Sequence, residues 1–414
     1  MTRTRLLLDD PHAFLHWLQQ SRKQGYMSLQ DIEVAHVFAV ASIAALARQE
    51  SPEFVPYAGH SAGTHMSGAA RFAHAIGIEA ILEGHEASDP VESQRTVKLT
   101  NVRGPNPEAA AERIAGRIVD LLLPQRPRTD AADLFWFVLV ELLRNVGQHS
   151  KDPAGGIVAA QVNDGGPYAG APALQVVVAD NGIGVFEALR RMRPTIQTPT
   201  DALVRALEPH VSGTFAEGQS GSVHNAGLGL FFISEIAKKT KGRLLMASRG
   251  ASYFLDRSRD SNSQPKLTNG VDPDYPGTLV VFETALGEAR NYEEIMRGIR
   301  ELAAARTPKR ITQQWLHFGE PPPGTFRSLV AIASEDTTAA RAFAVSVLEP
   351  RLLRREPVAL DFATMRVCTQ SFLHALLHEV VRLAWARKVP IHVVNATPAV
   401  RAQLELVENY SLGG

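Results

Sequence analysis

Three short segments in the middle of this 414-residue chain carry side chains whose types and order could do chemistry. In Glu141-Leu-Leu-Arg-Asn145-Val-Gly-Gln-His149, a carboxylate, an amide and an imidazole recur at i, i+4 and i+8, which places them on one face of a helix. The other faces carry Leu134, Phe135, Phe137, Val138, Val140 and Leu142, so the run belongs in a core, where buried polar groups require partners. Capping or hydrogen bonding near the helix end accounts for His149 and leaves Glu141 without a reason. In Asp180-Asn-Gly182-Ile-Gly184, a carboxylate comes directly after the strand-like Leu174-Gln-Val-Val-Val-Ala and is placed to accept a hydrogen bond from an amino group. Asp-Asn-Gly after a strand is also an ordinary turn. The third segment is glycine-rich and closes on Gly227-Leu228-Gly229-Leu230 before a helix-like run from Phe231. Backbone N–H groups of such a loop, with the helix start behind it, can fold over a polyphosphate.

The elements that must position these residues are legible on either side. Pro105 to Leu123 is alanine-rich with apolar residues at helical spacing, and Pro124-Gln-Arg-Pro-Arg-Thr-Asp130 reads as a loop. Thr129 or Asp130 can cap the helix that carries Glu141 and Asn145. Lys241 to Ser248 and Gly277 to Glu283 read as strands, and the polar stretch between Gly250 and Gly277 reads as a loop insertion.

Taken in order, the three segments resemble the N box, G1 box and G2 box of the GHKL ATPase superfamily, which includes gyrase, MutL, histidine kinases and the anti-sigma kinases. The resemblance implies a two-layer α+β sandwich of the Bergerat type that binds ATP with Mg²⁺. Residue by residue, it implies that Glu141 acts as the base on the attacking hydroxyl or water and that Asn145 helps hold Mg²⁺. It implies that Asp180 reads the adenine amine, with Gly182 and Gly184 letting the backbone approach the base. Gly227, Leu228, Gly229 and Leu230 become phosphate contacts, residues 213–225 the ATP lid, and Thr278 of Gly277-Thr278 the last contact near the adenine. An oxygen from one asparagine is a reasonable share of a Mg²⁺ shell that keeps several waters. Neither a P-loop nor a Gly-x-Gly-x-x-Gly turn after a strand occurs in the chain.

The flanks read as further α/β structure. At the N-terminal end, Asp10-Pro11 starts a helix, Ile32 to Ala47 is an apolar run that periodicity leaves open between strand and helix, and Gly77 separates two short helices. From Phe326 onward strands and helices alternate, with strands at Phe326, Pro357 and Pro390. Val358-Ala-Leu-Asp361-Phe362 and then Thr369-Gln-Ser371-Phe372 resemble the STAS-like domains found behind bacterial GHKL modules. The expected organisation is an accessory STAS-like α/β domain over 1–100, the ATP domain over 101–288, a connector over 289–320 and a STAS-like domain over 321–414. The overall class is α/β.

That pairing resembles the anti-sigma kinases, which phosphorylate a STAS partner on serine or threonine. Thr369 and Ser371 are the candidate phosphoacceptors, although the usual Asp-Ser-Ser/Thr-Gly pattern is missing and helix capping explains both residues. An ATP-gated switch or a non-catalytic ATP-binding module needs no acceptor. The expected partners are ATP, a protein bound through the STAS-like domains and, as GHKL modules often pair, a second copy of the chain. A histidine-kinase role for His378-Glu379 is disfavoured, because it comes after the ATP segments and lacks the usual continuation. His374 and His378 at i, i+4 could hold a metal, but a surface pair is commoner.

Composition excludes other classes. Lys+Arg and Asp+Glu both number 43, which argues against a dedicated nucleic-acid or anionic-membrane surface. The single cysteine, Cys368, cannot form an intramolecular disulfide and suits a reducing compartment as a buried thiol. Asp9 and Asp10 interrupt the leucines near the N-terminus too early for a signal-peptide core, and no stretch has the length of a membrane span. A soluble cytoplasmic protein is the expectation.

Overall fold

The computed structural model describes residues 4–48, 66–85, 95–103, 107–125, 127–164, 166–191, 193–209, 211, 228–269, 275–306, 314–330 and 336–412. They form a mixed α/β protein that divides into two compact units, one of residues 1–205 and 237–290 and one of residues 206–236 and 291–414.

In the first unit, the apolar run that periodicity left open is both things in succession. It is strand β2 (Ile32–Ala35), parallel to β1 (Thr4–Leu6), and then helix α2 (Val37–Ala47). Between β1 and β2 lies α1 (Pro11–Gln24), capped by Asp10, whose carboxylate accepts from Ala13 N–H. Helices α3 (Gly68–Ala75) and α4 (Ile78–Leu82) flank Gly77, which takes φ +85° to turn the chain between them. Strand β3 (Thr96–Val102) spans the boundary expected at residue 100 and pairs with a strand of the expected ATP domain, so no domain border falls there.

That shared sheet has seven antiparallel strands. After α5 (Pro107–Leu122) and α6 (Asp130–Asn145) come β4 (Gly156–Asn163) and β5 (Ala173–Asp180), then α7 (Gly184–Arg190), α8 (Pro199–Ala206) and α9 (Gly229–Lys239). Strands β6 (Arg243–Ser248), β7 (Ala251–Asp256), β8 (Lys266–Asn269) and β9 (Thr278–Ala285) complete it in the order β3-β4-β5-β9-β6-β7-β8. The stretch expected as a loop insertion therefore supplies two strands at one edge: Ala251 to Asp256 is a strand of mostly buried residues, and the polar part is the turn beyond it and the edge strand Lys266–Asn269. Thr129 caps α6 by accepting from Ala132 N–H at 3.3 Å.

Both faces of the sheet are covered. Ile157, Ala159, Val177, Ala179, Leu245, Ala247, Leu279 and Val281 pack with α1 to α4, because α2 is buried on every side and needs an apolar surface all round. Alternation sends Val158, Val176, Val178, Met246, Val280 and Phe282 to the other face, where Phe282 meets Phe135 of α6 edge-on at 5.7 Å.

The second unit contains a parallel sheet. Helix α10 (Tyr292–Arg306) precedes β10 (Leu316–Phe318) and β11 (Phe326–Leu329). Helices α11 (Thr337–Phe343) and α12 (Glu349–Leu353), joined by a π turn, lead to β12 (Val358–Asp361). Helix α13 (Gln370–Arg387), β13 (Ile391–Val394) and α14 (Pro398–Leu412) come next, and the strand order is β10-β13-β12-β11. The segment expected as a connector belongs to this unit: Tyr292, Met296, Ile299 and Ala303 form the buried stripe of α10, and the fully buried Arg300 donates to Ala399 C=O of α14. Among the described residues, no helix is long and apolar enough to cross a membrane.

Candidate functional site

Helix α6 does not end as a regular helix. Val146 to Ser150 wind as one π turn, closed by Lys151 at φ +55°, a feature that recurs at functional sites. The turn shifts the helical phase, so His149 does not continue the Glu141–Asn145 stripe as i+8 spacing implied. It also brings Ser150 C=O onto the β5–α7 turn, where it accepts from Ile183 N–H at 2.7 Å. The end of the helix bearing Glu141 and Asn145 is thereby fastened to the turn bearing Asp180, Gly182 and Gly184.

The glycines are required by this fastening. A Cβ on Gly182 would lie 2.0 Å from Ser150 O, and one on Gly184, at φ +77°, would lie 2.8 Å from Ser248 Oγ. A Cβ on Gly277 would lie 2.0 Å from Asp180 O. Each is explained by close approach of the chain to itself, in addition to any approach to a ligand.

Asp180 ends β5 in register with Thr278 of β9, and Thr278 is in turn in register with Ser248 of β6. Its buried carboxylate accepts from Gly182 N–H at 2.8 Å and from Thr278 N–H. Burial raises the carboxyl to about 7, against the two N–H donors and with Asp152 adding to the rise. Three residues not singled out from the sequence hold the turn. Arg249 donates to Gly182 C=O from Nη2 at 2.7 Å, Ser248 Oγ accepts from Val185 N–H at 2.9 Å, and Asp152 accepts from Asn181 N–H at 2.9 Å. The only local signals were Asp-Pro after the helix and a polar pair ending a strand, neither of which points to the turn.

Glu141 is buried, with Arg144 Nη1 3.6 Å away, while Arg144 Nη2 donates at 2.9 Å to Glu112 of α5. Burial raises the Glu141 carboxyl and the charge of Arg144 opposes the rise. Glu141 Oε1 and Asn145 Nδ2 are buried atoms with no hydrogen-bond partner among the described residues. Such atoms are rare in folded proteins and ask for an explanation. His149 is lowered to about 4, by burial first and then by Lys151.

The remaining candidates fall elsewhere. Gly227 and the expected lid lie outside the described residues. Leu228 is buried and its C=O accepts from Phe232 N–H at 2.9 Å, and Gly229 and Leu230 open α9; all three are counted with the second unit. Thr369 is buried as the cap of α13, accepting from Phe372 N–H at 3.3 Å, and Ser371 is buried in the first turn. His374 and His378 are buried, unlike the surface pair expected. Their rings stack at 4.6 Å and pair with Tyr410 Oη at 2.8 Å and Ser411 Oγ at 3.1 Å. Among the described residues, no group of three or more His, Cys, Asp or Glu side chains could hold a metal ion. Cys368 is buried with its sulfur 3.6 Å from that of Met365.

Comparison with known proteins returns no match: no family model fits the chain, and no curated protein and no solved structure matches it.

Proposed function

We propose that the chain binds Mg²⁺-ATP in a GHKL-type site and acts as a regulatory protein through its C-terminal α/β unit. The observation that carries this reading is the pair of buried atoms on α6, Glu141 Oε1 and Asn145 Nδ2, that make no hydrogen bond among the described residues, Glu141 Oε1 lying 3.6 Å from Arg144 Nη1, on a helix fastened by the Ser150–Ile183 bond to the turn of the buried Asp180. A buried amide can offer its oxygen to hydrated Mg²⁺ and its Nδ2 hydrogens to a phosphate oxygen, with the Glu141 carboxylate one helical turn away as the base. Asp180 offers a rigid acceptor beside two glycines, as an adenine amine requires. The sheet with α5 and α6 on one face supports the Bergerat-type sandwich, with the layer of α1 to α4 as an addition on the other face.

In this reading Asn145 helps hold Mg²⁺, which when bound would neutralise phosphate charge. Asp180 orients the base. Glu141, kept basic by burial, takes the proton from the attacking oxygen. Thr278 supports Asp180 through its backbone N–H. The activity is a serine/threonine kinase of the anti-sigma type acting on a partner protein, with the C-terminal unit as a STAS-like docking module. Burial of Thr369 and Ser371 disfavours them as acceptors in the folded chain. That same burial favours, as a second reading, an ATP-gated switch with no phosphorylation of its own chain.

Incubation with Mg²⁺ and γ-labelled ATP tests both, with protein-bound label and free phosphate measured together. Acid-stable label on the chain or a co-purified partner, lost in Glu141→Ala, supports the kinase. Free phosphate without label supports the switch. A wild-type protein that does not bind ATP overturns the proposal.

A further inference from the structure

Beside its apolar packing on the sheet, the layer of α1 to α4 sends one arginine toward the candidate nucleotide site. Arg48, at the end of α2, crosses to the turn before β4: Nη1 donates to Asn101 Oδ1 at 2.5 Å and to Ala154 C=O at 2.8 Å, and Nη2 donates to Gly155 C=O at 2.8 Å. The turn has no slack. Gly155 is at φ +72°, and a Cβ there would lie 2.4 Å from Val102 O. From the same turn Asp152 reaches both ways, accepting from Ala154 N–H at 2.8 Å through Oδ1 and from Asn181 N–H at 2.9 Å through Oδ2. A continuous set of hydrogen bonds therefore runs from α2 through residues 152–155 to the residue directly after Asp180.

We propose that Arg48 and Asp152 are positioning residues for the turn that carries Asp180, so that the α1–α4 layer sets the affinity and base selectivity of the nucleotide site. The proposal rests on the ATP reading above and adds the regulation of that site. Neither side chain is assigned contact with nucleotide. Both act by fixing where Asn181, and with it the Asp180 carboxylate and Gly182 N–H, is held. Coupling of this kind is reciprocal, so nucleotide bound at Asp180 stiffens the end of α2.

The test compares ATP with inosine triphosphate, which has an oxygen in place of the adenine amine, by calorimetric titration in Mg²⁺. Arg48→Met keeps the apolar stem and removes all three bonds. It is expected to weaken ATP about tenfold and inosine triphosphate less than about twofold, so the selectivity falls toward unity. Asp152→Asn keeps one acceptor oxygen and, titrated at pH 9 where Asp180 is ionised with or without the Asp152 charge, moves the ratio the same way by a smaller factor. Amide exchange at Asn181 to Ile183 in the nucleotide-free protein is expected to quicken in both variants. A change in general stability would weaken the two nucleotides alike, so equal weakening, or an unchanged ratio in both variants, overturns the relay. The wild-type titration keeps the two claims apart. If wild type does not bind ATP, the nucleotide reading falls and the relay's role with it; if wild type binds and the ratio never moves, the relay alone is wrong.

Discussion

The same three strands, β5, β9 and β6, carry a polar row at each end, and the rows are built on opposite principles. At one end Gln175, Glu283 and Arg243 are in register and fully buried on the face toward α1. Arg243 donates to Glu283 from Nε at 2.9 Å and from Nη2 at 2.5 Å, Gln175 Nε2 donates to the other oxygen at 2.6 Å, and Asp9 takes the remaining side of the guanidinium. Every charge there has its opposite. At the other end Asp180, Thr278 and Ser248 are in register, and the carboxylate is held by backbone N–H groups where Glu283 is held by a cation. Buried atoms without a hydrogen bond among the described residues occur at both ends, Gln175 Oε1 at the first and Glu141 Oε1 and Asn145 Nδ2 on the nearby α6, where Arg144 Nη1 lies 3.6 Å from Glu141 Oε1. A closed buried ion pair is costly to break, whereas an open buried carboxylate is costly to keep. The first end is closed by charge on charge, and the second is the one the proposed function assigns to a nucleotide.

Breaking the closed end is expected to give the largest effect. Glu283→Ala strands a buried guanidinium and should lower unfolding free energy by about 3–5 kcal/mol. Denaturant titration measures this, and a loss under about 1 kcal/mol would show that Asp9 alone satisfies Arg243. The open end should respond the other way. Asp180→Asn removes a buried charge with little change in volume, so nucleotide-free stability at pH 8 should hold or rise. ATP binding should weaken by about 1.5–3 kcal/mol, the contribution of a hydrogen bond to a charged group. If Asp180→Asn instead lowers stability as Glu283→Ala does, both ends are architectural and the contrast disappears.

The two ends also differ in how far the sequence disclosed them. At the open end Glu141, Asn145, Asp180 and the turn glycines stood out in the sequence, whereas Ser248, Arg249 and Asp152, which hold the turn, did not. Polar groups on an apolar helix, an acid at a strand end and glycines in the turn are local anomalies, and local anomalies are what a sequence records. The Thr129 cap, the break at Gly77 and the strand–helix alternation after Phe326 were legible for the same reason. The closed end was not, because Gln175, Glu283 and Arg243 meet only through strand register, over separations of 108 and 40 residues. Arg48 was hidden likewise: its partners lie 53 to 107 residues away. The first hundred residues have the alternation of a free-standing module. Nothing local says that α2, apolar all round, must find a second surface on the large sheet. Strand β10 was missed because three residues are too few to show a period. The π turn was missed because one extra residue per turn leaves the composition unchanged.

The open end should also be the pH-sensitive one. Asp180 sits at about 7 in the folded chain, above its ordinary value of 3.8. Its contribution to nucleotide-free stability is therefore fully present below the unfolded value and is lost as pH rises through the folded one. An amine donor needs the ionised carboxylate, so ATP affinity has the opposite slope and should rise about tenfold between pH 6 and pH 8. His149, at about 4, stays neutral across that range. Titrations at the two pH values should show the rise in wild type and none in Asp180→Asn. A slope that survives the substitution would move the titrating group to Glu141, whose carboxyl is also raised by burial.

The smallest effect separates the two ends most cleanly. Thr129 caps the start of α6, at the opposite end of that helix from Asn145 and the π turn. Thr129→Ala should cost about 1 kcal/mol of stability, through one N–H left without its acceptor. If the open end is held locally, by the Ser150–Ile183 bond and by Arg249 and Asp152, ATP affinity in this variant should match wild type within about twofold, since loss of global stability barely changes the folded fraction while several kcal/mol remain. If affinity falls with stability, α6 transmits strain along its whole length. Glu141 and Asn145 would then depend on the start of the helix as much as on its end.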